Sequence, residues 1–374
     1  MTGVNWTLVR NFTAFWIFGL ANNYAFVIML SAAEDIMDKQ NNKNNSVSDK
    51  NCEPTITSRH CSAVSTGVVL LADILPELFI KAAFPFFLLR MPFGIRHLII
   101  CLTQAGSYFL VAFSQNIAMS LLGVALADAS SGLGELSYLA LSSHFSSNMI
   151  SAWSSGTGGA GIIGSLAYAG LTEPHLANLS PKTALLVMLI VPILFAITYW
   201  FLMVVPPSVH TVNILKPKTW LNPKILENGK GSLNEAMSKS PSIESDMPEK
   251  TVSVTHKPRK LSFAEKLKLL KTLLPYMIPL AVVYIAEYII NQGVTELIFF
   301  NCSHGFSLSR SSQYRWYQVL YQLGVFISRS SINVVELPKF ALYILPVLQM
   351  ANAIFFFLSA VYWFIPHISI VFHN

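Results

Sequence analysis

The chain has 374 residues, of which 53% are hydrophobic and only 12% charged, with a formal net charge of +6. That is too little charge to clothe a soluble globule of this length, so part of its solvent is lipid. Four cysteines are too few for a disulfide framework, and the nine histidines lack metal-ligand spacing.

A helix needs about 20 predominantly apolar residues to cross a bilayer core. Runs of that kind predict spans near 12–33, 62–89, 95–114, 117–142, 149–171, 183–205, 274–300, 313–331 and 340–364, with a tenth beginning at Pro366. The chain therefore reads as an all-α polytopic membrane protein of nine to ten spans: an N-terminal six-helix half over 1–205, a basic loop over 206–272 and a second helical half over 273–374. The first apolar run is too long for a cleavable signal peptide and no small-residue cleavage site follows it, so it stays as an anchor. The eighth segment carries Arg315 and Arg329 near its ends and is amphipathic; it is either a span or an interfacial helix. The basic loop is rich in Lys, Ser, Asn and Pro and cannot bury enough apolar surface to offset the entropy of ordering it. It is read as a disordered cytosolic linker where sorting or trafficking proteins bind.

Charge gives the orientation. Between Pro206 and Lys271 stand 12 Lys or Arg against 6 acids, whereas the Glu34 to His60 loop has 4 basic and 5 acidic residues. The positive-inside bias, weighted toward the juxtamembrane Lys266, Lys268 and Lys271, makes the long loop and the N-terminus cytosolic. The sequons at Asn44, Asn178 and Asn301 then all fall on the lumenal side, while those at Asn5 and Asn11 do not. Cys52 and Cys61 share one lumenal loop, where they either pair or stay free.

Ionisable groups inside spans are the candidate functional residues, because an ionised side chain at the bilayer centre costs at least about 2.5 kcal/mol. Asp73, Glu77 and Lys81 share one face of the second span, and Asp128 and Glu135 share one face of the fourth. Glu77 and Lys81 stand in the favourable i,i+4 order, which suits a structural ion pair as well as a functional one. Tyr284, Glu287 and Asn291 share a face of the seventh span, and Glu287 has no basic neighbour within a turn of sequence. It is the leading candidate for a proton-titrating or substrate-contacting carboxylate, against a protonated carboxyl hydrogen-bonded across helices. Along the eighth helix Arg315, Gln318, Gln322 and Arg329 form a stripe with a guanidinium at each end, able to receive an anion; alternatively both arginines anchor the helix at the headgroups. In the fifth span Gly156 to Gly161 matches a dinucleotide fingerprint by letter only, since no strand precedes it. Gly156, Ala160 and Gly164 instead form a small-residue ridge for close helix packing. No serine sits in a nucleophile elbow, and nothing points to an enzyme, a cofactor, a metal or nucleic acid.

Several stretches together resemble the battenin family of lysosomal membrane proteins. They are Leu30-Ser-Ala-Ala33, Val69-Leu-Leu-Ala-Asp73-Ile-Leu-Pro76, Ser130-Ser-Gly-Leu-Gly-Glu135, Trp153-Ser-Ser-Gly-Thr-Gly-Gly-Ala-Gly161, Ala286-Glu287-Tyr288 with Asn291-Gln-Gly293, and Gln313-Tyr-Arg-Trp-Tyr-Gln318 running on to Ser328-Arg-Ser-Ser331. The resemblance implies a fold akin to the major facilitator and equilibrative nucleoside transporters and residence in lysosomes and late endosomes. It also implies a role in lysosomal homeostasis, linked to glycerophosphodiester clearance, lysosomal pH and basic amino acid handling. Further spans and a prenylation-type cysteine box follow the ninth helix in the family, and the N-terminal extension is longer and acidic. This chain, ending at Val371-Phe-His-Asn374, is read as a shortened form whose nearest approach to the family's dileucine signal is Leu269 and Leu270. The expected function is movement of a small polar or anionic metabolite, with or without protons, the alternative being a scaffold for vesicle traffic.

Overall fold

The computed structural model describes residues 5–40, 52, 54–56, 66–84, 91–207, 209–212, 263–331 and 338–362. Asn44, Cys61, most of the basic loop and the tenth span at Pro366 lie outside the described residues. What is described is helical throughout its regular structure, and each of the nine predicted spans coincides with a helix or a run of helical turns.

α1 (Trp6–Ser31) is the axis of the bundle. Its first turn is capped by the Asn5 side chain, which accepts from the Leu8 amide at 3.2 Å and so satisfies one of the amides a helix start leaves open. Twenty-six residues at about 1.5 Å each give about 39 Å, enough to cross a bilayer. From Ala14 on it is buried on nearly every side. A short helix, α2 (Ala33–Gln40), continues it directly. α3 (Thr66–Ala83), α4 (Phe93–Ala112), α5 (Ile117–Ser142) and α6 (Asn148–Thr172) follow. The sixth predicted span is three successive pieces: α7 (Pro181–Val187), α8 (Ile190–Ile197) and a π-helical turn over Thr198–Leu202. Arg10 ties its end to α1 by donating to the carbonyls of Phe201 and Leu202 at 2.9 and 3.1 Å. Asn11 is buried and accepts from the Val204 amide at 2.8 Å.

These segments share one apolar core. Phe18, Tyr138, Phe195 and Tyr199 crowd round the buried His97, whose Nδ1 meets the Tyr138 hydroxyl. The closest approach is α1 on α6. A Cβ added to Gly19 would strike the Trp153 carbonyl, one on Gly156 the Trp16 carbonyl, and one on Gly164 would lie 3.1 Å from Val27. The small residues thus let two backbones touch, which is how membrane helices gain packing energy where lipid removes the hydrophobic drive. Gly156→Val is expected to cost about 1–3 kcal/mol as overpacking against backbone that cannot rotate away. Gly170→Ala, whose added methyl meets nothing nearer than 4.0 Å, is expected to gain up to about 1 kcal/mol of helix propensity. Thermal unfolding of the two purified variants compares them.

After the loop come α9 (Phe263–Tyr288), α10 (Arg310–Ser331) and α11 (Ala341–Tyr362). α9 contains Pro275 and Pro279, and beyond Tyr288 it winds as a π-helical turn over Ile289–Val294 and a 3₁₀ turn over Thr295–Leu297. α9 packs on α11, and α10 packs on α6 with Tyr314, Tyr317 and Gln318 buried. The polar face of the eighth segment is turned into the protein, with Leu323 and Ile327 left outside. Among the described residues six helical segments are long and apolar enough to cross a membrane, by length and composition alone. α3, α6 and α10 hold their polar or small residues inward instead; on α3 Leu71, Leu75, Leu78 and Phe79 are exposed while Asp73 is wholly buried. Large apolar side chains facing outward all round the bundle are a lipid-facing surface, which water would not tolerate.

Candidate functional site

A cavity of about 70 Å³ lies where α1 and α6 face α9 and α10. Its polar wall comes from all four: Asn23 on α1, Thr157 on α6, Tyr284, Glu287 and Tyr288 on α9, and Tyr321 and Gln322 on α10. Phe26, Val27, Leu30 and Val325 complete it with apolar surface. The Tyr321 hydroxyl donates to Glu287 Oε1, joining the carboxylate to the neighbouring helix. Gly161 admits this arrangement, because a Cβ there would collide with the Gln322 side-chain oxygen.

The predicted face of the seventh span changes at its end. Tyr284 and Glu287 line the cavity as an α-helical repeat requires, but Asn291 is buried away from it and Gln292 takes the lining position. The π-helical turn over Ile289–Val294 is the reason: its wider i→i+5 winding advances the face by one residue. Thr66 on α3 braces this turn, its hydroxyl donating to the Gln292 carbonyl at 2.6 Å and its amide to Glu296 at 2.8 Å. The Gln318 side chain reaches toward the Asn291 carbonyl at 3.5 Å.

The predicted anion stripe does not survive as a unit. Gln322 reaches the cavity, but Arg315 points elsewhere, into a buried ion pair with Asp35 at 2.9 Å, and the Arg329 side chain lies outside the described residues. Tyr168 donates to the same Asp35 at 2.9 Å, and Ser312 accepts from Arg315 at 3.1 Å. One turn earlier Arg310 pairs with Glu34 at 2.6 Å. At this end of the bundle Cys52 is disulfide-bonded to Cys302. That corrects the expected local choice between a Cys52–Cys61 pair and free thiols. The two cysteines are 250 residues apart in sequence, so nearness along the chain gave no hint, but both stand in loops that the charge rule puts on one side. Glu34 and Asp35 were likewise missed, read as ordinary loop acids just past the first span. Asn301 is in the bonded loop, its Oδ1 accepting from Ser303 at 2.9 Å, while Asn178 is exposed in the turn after α6.

The faces on α3 and α5 that the sequence offered separately meet each other. Pro76 removes one helical amide from α3, and the next, Glu77 N–H, donates to Asp128 Oδ2 at 2.7 Å. Gly132 makes room, since a Cβ there would lie 2.9 Å from Glu77 Cγ. Lys81 bridges Glu77 at 2.5 Å and Glu135 at 2.8 Å, the outer part of the seam being about one-third exposed. Asp73 is fully buried, and neither of its carboxylate oxygens has a hydrogen-bond partner among the described residues. Tyr288, on the cavity wall, lies within electrostatic reach of Asp73, Glu77 and Glu287, so the acid seam adjoins the cavity.

Comparison with known proteins places the chain. The profile described as "CLN3 protein" matches residues 13–373. Battenin of Canis lupus familiaris is 42% identical over 370 residues, which cover 98% of this chain and 78% of the relative. Protein btn-1 of Neurospora crassa is 36% identical over 375 residues, covering 96% and 75%, and protein BTN1 of Candida albicans is 34% identical over 360 residues, covering 94% and 78%.

Proposed function

The chain belongs to the CLN3 protein family, and on that premise we propose that it is a transporter-type protein of the lysosomal and late-endosomal membrane. It moves a small polar metabolite through the cavity around Glu287, with protons as the candidate coupling ion. Through that flux it contributes to glycerophosphodiester clearance, lysosomal pH and basic amino acid handling. The observation that carries this reading is a polar cavity holding a carboxylate at the meeting of four membrane helices, because such groups mark solute and proton pathways. The acid seam of Asp73, Glu77, Asp128 and Glu135 is its proposed proton-side extension.

The N-terminus is cytosolic in this reading and the Cys52–Cys302 end is lumenal. Support comes from the charge bias, from the Asn178 and Asn301 sequons near that end, and from the disulfide itself, since such bonds persist in oxidising compartments. The ion pairs of Arg310 and Arg315 then act as a lumenal latch between early and late helices, with the disulfide as a covalent tether at the same end. Sided labelling checks the orientation: in Cys52→Ser the freed Cys302 thiol is expected to react with an impermeant maleimide only after the organelle is opened. Reaction in sealed lysosomes would reverse the topology.

The direct test is flux through purified protein in liposomes, offered phosphodiesters and basic amino acids. Protein-dependent flux of at least one class is expected. Equal flux with and without protein would favour the scaffold reading and its basic loop.

A further inference from the structure

We propose that Gln292 is the specificity-determining residue of this cavity: its carboxamide grips a neutral group of the solute that donates and accepts hydrogen bonds side by side, as a carboxamide or a pair of adjacent hydroxyls does. This rests on the transport reading and names the group by which the same cavity selects its solute.

Gln292 lines the cavity and is 1% exposed, yet neither its Nε2 nor its Oε1 has a hydrogen-bond partner among the described residues. Other polar groups on the wall are engaged. Asn23 Nδ2 donates to the Gly19 carbonyl at 3.2 Å, the Thr157 hydroxyl donates to the Ser154 carbonyl at 2.7 Å, and Glu287 accepts from Tyr321. A buried amide open at both ends is costly, because folding strips it of water and returns no bond. Departures of that kind from a well-satisfied interior concentrate at functional sites.

The fold holds this amide in place. The π-helical turn over Ile289–Val294 brings Gln292 to the wall, and such turns are frequent at functional sites. Two neighbours brace the turn: the Thr66 hydroxyl donates to the Gln292 carbonyl at 2.6 Å, and the Gln318 side chain reaches toward the Asn291 carbonyl at 3.5 Å. A fixed backbone preorganises the side chain it carries. Gln322 places a second carboxamide on the wall from α10.

The hydrogen-bond capacity of the amide sets the chemical class. A carboxamide offers N–H donors and a carbonyl acceptor and carries no charge. A carboxylate would satisfy only the donors and an ammonium only the acceptor, leaving the other end buried and open. A neutral group with both functions closes both ends. A site built for such a group rejects analogues that lack it, since its own polar atoms are then left unpaired.

Four short probes share a three-carbon frame and differ in the polar group: propionamide, propane-1,2-diol, propionate and propylammonium. Each is titrated against the detergent-purified full chain, and binding is read as a saturable rise in melting temperature. Propionamide or the diol is expected to bind about tenfold or more tightly than both charged probes; which of the two binds better tells an amide from a hydroxyl recognition group. Gln292→Leu, and Gln292→Met in case the Leu branch clashes, are expected to abolish that preference. Without any probe, at least one of them is expected to raise the melting temperature by about 2–4 °C, because an unmet polar group has been removed. A structural or merely hydrated glutamine predicts the reverse or no change. No saturable binding of either neutral probe, a charged probe bound as tightly, the same preference in the variants, or a melting temperature that neither variant raises would overturn the proposal. None of these readouts depends on flux, so a transporter that selects by another group remains distinguishable from a protein that transports nothing.

Discussion

Replacing Arg315 with Met is expected to destabilise the protein by about 3–5 kcal/mol, the cost of leaving one member of a buried ion pair uncompensated. Both partners are largely hidden, the Arg315 side chain 7% and the Asp35 side chain 11% exposed, so water cannot take over the lost interaction. The double variant Arg315→Met with Asp35→Leu is expected to recover most of the loss, since an apolar pair of similar volume is often as stable as the ion pair it replaces. A deficit of about 1 kcal/mol should remain, because the Tyr168 hydroxyl loses its acceptor. Thermal unfolding of the wild type, the two single variants and the double variant gives the coupling directly. Transport separates the latch from a mere brace. A gate that must open and reclose should be altered in flux by the double variant although its stability is restored; unchanged flux would make the pair structural only.

Glu287→Gln is expected to reduce flux about ten- to hundredfold while leaving the fold intact. The amide keeps the size of the carboxyl and can still accept from Tyr321, so packing is preserved. What disappears is the charge, and an interaction made by a charged group is worth about 1.5–3 kcal/mol, which converts to that range of affinity. If Glu287 also exchanges a proton during transport, the dependence of the remaining flux on lumenal pH flattens. A variant with wild-type flux and an unaltered profile would confine Glu287 to a structural hydrogen bond and move the proton role to the Asp73–Asp128 seam.

Much of this architecture could be read from the chain because the bilayer imposes a length and a composition on every span. Thr66–Ala83 and Ile117–Ser142 could even be assigned their inward faces, since Asp73 with Glu77 and Asp128 with Glu135 repeat at helical spacing. Sequence periodicity does not say which face meets which, so the contact of Glu77 with Asp128 across Pro76 emerged only from the packing. The π turn after Tyr288 shows a second limit: one residue of altered winding exchanged Asn291 for Gln292 on the cavity wall, and no propensity marks where such a turn falls. Arg315 shows a third. Its place in a polar stripe suggested an anion site, but Asp35, far away in sequence, claims it. Of the stripe, Gln322 is the member that lines the cavity.

The central claim is that this cavity is the solute pathway, and access to it from both sides tests that most directly. Thr157 lines the cavity from α6, and Cys101 is buried and Cys52 bonded to Cys302. Thr157→Cys in a Cys61→Ser background therefore places a reporter thiol on the cavity wall. In vesicles of known orientation, labelling by an impermeant thiol reagent should occur from the cytosolic face at once. From the lumenal face it should occur only as the latch opens, faster in Arg315→Met with Asp35→Leu, and a transported solute should slow both. Labelling confined to one face under every condition, in every variant and without ligand protection, would contradict the account.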